Sequence, residues 1–375
     1  MHLRARRSSG AVQVVISMLP TRSIGNTTLS VTELGFGAAP LGNLYHIVSD
    51  DDAKDTLTAA IHAGIGYFDT APYYGLGLSE RRVGDALRGH VGAVLSTKVG
   101  RLLTANVNIH GCAERYGFLS PMPFEPAFDY SFDGVMTSWE ASRQRLGMAR
   151  IDILYVHDIG QLTHGDRHDA TFRQLTDGGG FRALEQLRSA GAIGAFGLGV
   201  NEVAVCLEAM QQVHLDVILL AGRYTLLEQQ ALEVLLPACR SSGTSIVVGG
   251  PYNSGILATG TRHSGVLHYD YGVAPPAIVD RVQRLETHCE RYGIPLAAAA
   301  LQFPLAHPLV ASVIPGLRGA LQIERTLELY NTSIPGDFWR DLKNEGLLHS
   351  DAPIPAASRT NRQSKLHEGT TGSST

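Results

Sequence analysis

The chain has 375 residues, of which 44% are hydrophobic and 18% charged, with 41 Gly and 17 Pro. That is enough chain for a large buried core, and a formal net charge of -4 leaves no basic footprint for nucleic acid. No apolar run reaches the roughly 20 residues that span a bilayer, and the 4 cysteines are scattered without zinc-ligand spacing, as in a reduced cytoplasmic protein.

In chain order, residues 1–17 carry Arg4, Arg6 and Arg7 ahead of a short apolar stretch and read as a disordered extension. Arg22 to Val31, with Gly25-Asn26 between two short extended runs, reads as a hairpin. Candidate strands follow at Glu33–Gly37, Gly66–Asp69, Val94–Lys98, Ile151–His157, Ala195–Gly199, Asp216–Leu220, Ser245–Gly249 and Ser312–Pro315. Each is short and rich in Ile, Val, Leu or Phe, as strands buried on both faces are. Amphipathic stretches lie between them, among them Asp50–Ala63, Ser79–Arg88, Phe132–Leu146, Phe181–Ser189 and Glu202–Gln212. Ser49-Asp50-Asp51-Asp52 supplies a cap and acidic groups where a helix N-terminus favours them. Strands alternating with helices predict a parallel sheet, and eight of them predict a single (β/α)8 barrel over residues 18–349, with the hairpin closing its bottom. Residues 350–375 are too poor in large apolar groups to offset ordering and read as a disordered tail.

Two connections are long. Gly100 to Ser131 holds Tyr116, Phe118, Phe124, Phe128 and Tyr130, an aromatic wall over the C-terminal mouth; Gly160 to Gly180 reads as a polar, Gly-rich solvated loop. Chemistry-bearing residues gather at the same mouth. Asp69 ends the second strand, Tyr73-Tyr74 follows in its loop, Lys98 ends the third strand and His157 the fourth. Taken one at a time, these are a turn cap, a loop aromatic, a rim lysine and a core histidine. Together they place ionisable groups on the face where barrel enzymes carry their sites. A phenol titrates at about 10 in water, and a neighbouring ammonium is expected to lower that, with Asp69 holding the lysine charged.

Phe68-Asp69-Thr70-Ala71-Pro72-Tyr73-Tyr74-Gly75, Ser79-Glu80, Ser96-Thr97-Lys98 and the strand ending in His157 resemble the signature of the aldo-keto reductase superfamily. The resemblance runs over about residues 20–345. It implies a (β/α)8 barrel that binds NAD(P) without a Rossmann fold, Tyr74 as general acid and base, Lys98 tuning it, Asp69 pairing with Lys98, and His157 bonding the substrate oxygen. Phe128-Asp129-Tyr130-Ser131, Arg145-Leu146-Gly147 and Gly199-Val200-Asn201 are similar to the sugar dehydrogenases of the L-fucose, D-threo-aldose and L-galactose type. That branch implies a small-molecule aldose as partner and oxidation of its C1 to a lactone. Pyridoxal 4-dehydrogenase chemistry, general aldehyde or ketone reduction and a non-catalytic cofactor-binding barrel are the alternatives.

The same resemblance implies cofactor contacts at Gly37, Asn201, Tyr224 (stacking on the nicotinamide), Gly250, Pro251, Asn253, Gly255 and Leu257 in a pyrophosphate loop, and Gly316, Arg318 and Gln322 at the adenosine end. Gly316 and Gln322 stand where phosphate-preferring relatives often carry basic residues, so the cofactor reads as NAD(P) with NAD favoured. His164 and His168 sit four apart in the second long loop without a third ligand, and no metal is expected. Ser254 lacks the glycine of a nucleophile elbow, which argues against a serine hydrolase.

Overall fold

Eight of the short apolar runs become parallel strands: β1 (Phe36–Gly37), β2 (Tyr67–Asp69), β3 (Val94–Val99), β4 (Ile153–His157), β5 (Ala195–Val200), β6 (Val217–Ala221), β7 (Ser245–Gly249) and β8 (Val310–Ile314). They hydrogen-bond in that order in one sheet, and parallel bridges Leu34–Val313 and Gly37–Gly316 join the first strand to the last. The computed structural model describes residues 19–109 and 114–355; the expected N-terminal extension, Cys112 and the chain beyond residue 355 lie outside the described residues. No helix among the described residues is long and apolar enough to cross a membrane.

Side-chain alternation divides the core. Tyr67, Ile153, Tyr155, Val217 and Val247 fill the lumen, while their neighbours Phe68, Leu154, Leu198, Ile218 and Val248 pack outward under the helices. The helix Asp50–His62 begins as the sequence suggests, with Ser49 Oγ accepting from Asp52 N at 3.0 Å. At the bottom of the barrel, Thr21–Ser23 pairs antiparallel with Ser30–Thr32. Arg22 ties this hairpin across the seam, donating to Leu305 O and Val310 O, both at 2.8 Å.

Three segments depart from expectation. The first long connection carries a two-stranded flap, Arg101–Ala105 against Phe124–Phe128. The second is helical rather than a solvated loop, with helices Gln161–His164 and His168–Leu175 joined by a 3-10 turn. Tertiary anchors override its glycines. Glu202 accepts from Gln161 N and Leu162 N at 3.1 Å each, and Phe172 and Leu175 enter the core. After β7 the chain makes a further hairpin, His268–Tyr269 with Gly272–Val273. At the C-terminal end, order continues past residue 350: Ala352 is buried and Ile354 packs on the core.

Candidate active site

The pleat of three neighbouring strands builds the site in two layers. Alternate residues share a face, so β2 contributes Tyr67 and Asp69, β3 Ser96 and Lys98, and β4 Tyr155 and His157. Asp69, Lys98 and His157 lie at the C-terminal mouth, with the three hydroxyl residues beneath them. Lys98 is 1% exposed. Its Nζ donates to Asp69 Oδ2 at 2.6 Å and to Thr70 O at 2.9 Å, and lies 4.7 Å from the centre of the Tyr74 ring. Gly199 of β5 leaves room for the lysine stem: a Cβ there would come within 3.3 Å of Lys98 Cε.

Ser96 Oγ donates to the other oxygen of Asp69 at 2.7 Å, its alternative acceptor Phe68 O being 3.5 Å away. A hydroxyl has one proton to give. With that of Ser96 committed, Tyr67 donates to Ser96 and Tyr155 donates to Tyr67, each at 3.0 Å. The three dipoles therefore all point at the carboxylate, and each bond polarises the next. Burial drives the Asp69 carboxyl above its ordinary range, against the pull of Lys98 and Ser96.

Tyr74 rides on the loop between β2 and the helix Leu78–Leu87. Gly42 and Gly75 let two backbones meet there; a Cβ on Gly42 would stand 2.6 Å from Gly75 N. Ser79 Oγ donates to Ala38 O at 2.8 Å. The buried Glu80 accepts from Thr97 Oγ1 at 2.6 Å and from Arg145 Nε at 2.5 Å. Ser79-Glu80 thus anchors the tyrosine loop.

The His157 ring meets Tyr74 edge-on, centroids 6.0 Å apart at 88°. Burial, then the charges of Arg101 and Lys98, push its imidazole well below its usual range, so it is neutral. Its Nε2 lies 3.5 Å from Asp158 Oδ2. A carboxylate beside Nε2 favours the tautomer protonated there. Tyr130 Oη donates to His157 O at 2.7 Å and fixes the strand end.

The expected lowering of the Tyr74 phenol is corrected. Burial first, then the negative charge of Asp69, push it well above its ordinary value, and Arg101 is the cation that opposes them. The charge of Lys98 is matched at close range by Asp69. Arg101 and Asp158 also lie against these groups, and the sequence reading did not single them out. Tyr67, Ser96 and Tyr155 were missed too, although their spacing of two from the tetrad positions on the same strands was the available signal.

The expected cofactor contacts divide. Gly37 lies at the seam, its N donating to Pro315 O at 2.9 Å. Asn201 is at the mouth, directly after β5, with its side chain close to the Tyr271 hydroxyl. Tyr224 is corrected: it is fully buried against Phe303 and His307, with no ring face left for a nicotinamide. Leu257 is corrected likewise, being buried in the core with its N–H donated to Tyr252 O at 3.1 Å. Asn253 spends its side chain on Thr225 Oγ1 and Gly222 O, at 2.7 and 3.1 Å, and holds two loops together. Pro251 is buried beside it.

Gly255, Gly316 and Gln322 leave more room for a dinucleotide. A cavity of about 420 Å³ opens between the loops after β7 and β8, lined by Tyr252, Glu286, Leu296, Gly316, Gln322 and Arg325. A Cβ on Gly255 would meet nothing within 4 Å, so its approach is open. Arg318 is outside that lining and donates its N–H to Gln322 Oε1 at 2.9 Å. His164, placed on a helix, bonds Tyr130 Oη at 3.1 Å, and His168 bonds Glu208 at 2.9 Å.

A phenol, a buried ammonium–carboxylate pair and a neutral imidazole, converging at the mouth of a (β/α)8 barrel, make an oxidoreductase site of one kind. The chain belongs to the Aldo/keto reductase family, which it matches over residues 33–344. It is 47% identical over 335 residues to a pyridoxal 4-dehydrogenase of Microbacterium luteolum, covering 87% of this chain and 97% of that one. A D-threo-aldose 1-dehydrogenase of Pseudomonas is 40% identical over 325 residues, covering 85% and 95%. Among solved structures, an aldo-keto reductase from Bacillus halodurans superposes with a TM-score of 0.67 at 24% identity, over 92% of this chain and 99% of that one, and so shares the fold.

Proposed function

We propose that the protein is an NAD(P)-dependent dehydrogenase that oxidises the anomeric carbon of a cyclic aldose, of the L-fucose or D-threo-aldose type, to a lactone. The observation that carries this reading is Tyr74 standing over the buried Lys98–Asp69 pair with neutral His157 edge-on to it. His157 Nε2–H holds the hemiacetal oxygen. Tyr74, as the phenolate, takes the hydroxyl proton onto its phenol oxygen, and Lys98, paired with Asp69 at 2.6 Å, steadies the negative charge that the ring carries until the proton arrives. Bound NAD(P) supplies the hydride acceptor.

Gly250, Gly255, Gly316 and Gln322 would hold the cofactor. NAD is the favoured form, because the cavity offers no uncompensated cation for a 2′-phosphate. Arg325 is paired to Glu328 at 2.9 Å, and Glu286 adds a carboxylate to the lining. Free thiols at Cys206, Cys239 and Cys289 agree with a cytoplasmic location.

Pyridoxal is the second reading. Its cyclic hemiacetal undergoes the same oxidation, and the aromatic wall of Tyr73 and Phe118, edge-to-face at 5.5 Å, suits a flat ring. Absorbance at 340 nm with NAD or NADP against L-fucose, D-arabinose, L-galactose and pyridoxal separates the readings. Sugar-dependent reduction lost in Tyr74→Phe supports the first, and turnover of pyridoxal alone selects the second. Preference for reducing simple aldehydes, or a flat trace while cofactor still binds, overturns both.

A further inference from the structure

Two charged residues flank the tetrad without handling the moving proton themselves. Arg101, three residues past Lys98, is 7% exposed. Its guanidinium lies 3.9 Å from the centre of the Tyr73 ring and 4.9 Å from that of Phe128, and it is ion-paired with Asp158. Asp158 follows His157 directly at a φ of 47°, a left-handed conformation that a non-glycine residue keeps only where its surroundings enforce it. Here its N–H is donated to Gly199 O at 3.0 Å. The result is a carboxylate 3.5 Å from His157 Nε2.

We infer that Arg101 and Asp158 are the specificity-determining pair: they bind the hydroxyl on the carbon next to the reacting one, Asp158 accepting from it and Arg101 donating to it. The inference rests on the dehydrogenase reading above. A hydroxyl both donates and accepts, whereas a carboxylate only accepts and a guanidinium only donates, so the pair complements such a group in full. A buried ion pair contributes little net stability by itself, and the Asp158 side chain stays 22% exposed, open to a further partner. The aromatic rings on either side hold the guanidinium plane in a set orientation before substrate arrives. In an aldose the bound group is the C2 hydroxyl. In pyridoxal the nearest such group is the ring hydroxyl, which sits one carbon further from the reacting carbon than the C2 hydroxyl of an aldose. An aldehyde without that neighbour leaves both charges without their remaining partner.

The test compares kcat/KM for the best aldose with that for its 2-deoxy analogue, in the wild type, Arg101→Met and Asp158→Asn; if pyridoxal is the substrate, its 3-deoxy analogue replaces the deoxy sugar. The wild type should prefer the hydroxylated substrate by roughly 100-fold or more, as sites built to bond a hydroxyl do. In both variants the ratio should fall to within about 5-fold while the KM for the cofactor stays unchanged. A wild-type ratio near one overturns the inference even if a variant fails to fold, and so does an undiminished ratio in either folded variant. Turnover with undiminished ratios removes the pair alone, whereas absence of turnover on every hydroxylated substrate removes the dehydrogenase reading and the pair with it.

Discussion

At the scale of single residues, Tyr74 decides the pH behaviour. Its phenol is held well above the ordinary value by burial and by Asp69, so it is protonated at neutral pH. Oxidation needs the phenol oxygen free to accept a proton, and the rate of oxidation should therefore climb from pH 7 to beyond pH 9, while reduction weakens over the same range. A pH–rate profile in both directions checks this, and a plateau in oxidation by pH 8 contradicts it. Tyr74→Phe should lower turnover by roughly 100- to 10,000-fold and leave cofactor affinity, read by quenching of protein fluorescence, within a few-fold of wild type. The four tetrad residues were legible because burying a charge is costly, and successive apolar strands that all end in or beside ionisable groups signal a shared site. Arg101 and Asp158 were not, since a charge just past a strand end normally reads as a solvated rim. Tyr224 misled for the opposite reason. It sits in a loop by sequence, but the chain turns at Gly222, with a φ of 66°, and the ring goes into the core.

Strands carry the next level of the mechanism. Tyr155, Tyr67 and Ser96 come from β4, β2 and β3, and their hydroxyls form one directed chain ending on Asp69. Removing the Tyr67 hydroxyl cuts the chain at its middle while keeping the ring that fills the lumen. Tyr67→Phe should lower kcat about 3- to 10-fold, the equivalent of about 1 kcal/mol, with KM unchanged and the pH–rate profile displaced. If kcat and the profile both match wild type, the chain is only packing. Periodicity exposed the strands and most helices but not the two long excursions. The flap pairs Arg101 with Phe128 across an intervening stretch that includes Pro121 and Pro123, and one of its strands contains Pro126 itself. The helices after β4 owe their start to a carboxylate on Glu202, about 40 positions away, which no local window contains.

For the molecule as a whole, acid stability has an identifiable contributor outside the site. His307, just before β8, is 3% exposed, and its Nδ1 accepts from Leu309 N at 3.2 Å. Burial lowers its pKa to about 4. An unfolded chain protonates this histidine below about pH 6.5, so between there and pH 4 the unfolded state binds more protons. Stability is complete above that window and is lost as the pH falls through it, by up to about 3 kcal/mol. His307→Asn should melt at a lower temperature at pH 7.5 and lose less on acidification to pH 4. Parallel melting curves for the two proteins would remove His307 as the cause.

The seam of the barrel has a consequence for how the protein is made. β1 finds its outer neighbour only at β8, and Ser312 Oγ reaches Glu33 O across 279 positions of sequence. A ribosome adding about 5–20 residues per second needs tens of seconds to deliver that partner. Throughout that time the amino-terminal strand of the nascent chain presents an open hydrogen-bonding edge, the kind of surface on which neighbouring chains pair wrongly. Its shortness, two residues at Phe36–Gly37, keeps that edge small until synthesis reaches the last strand.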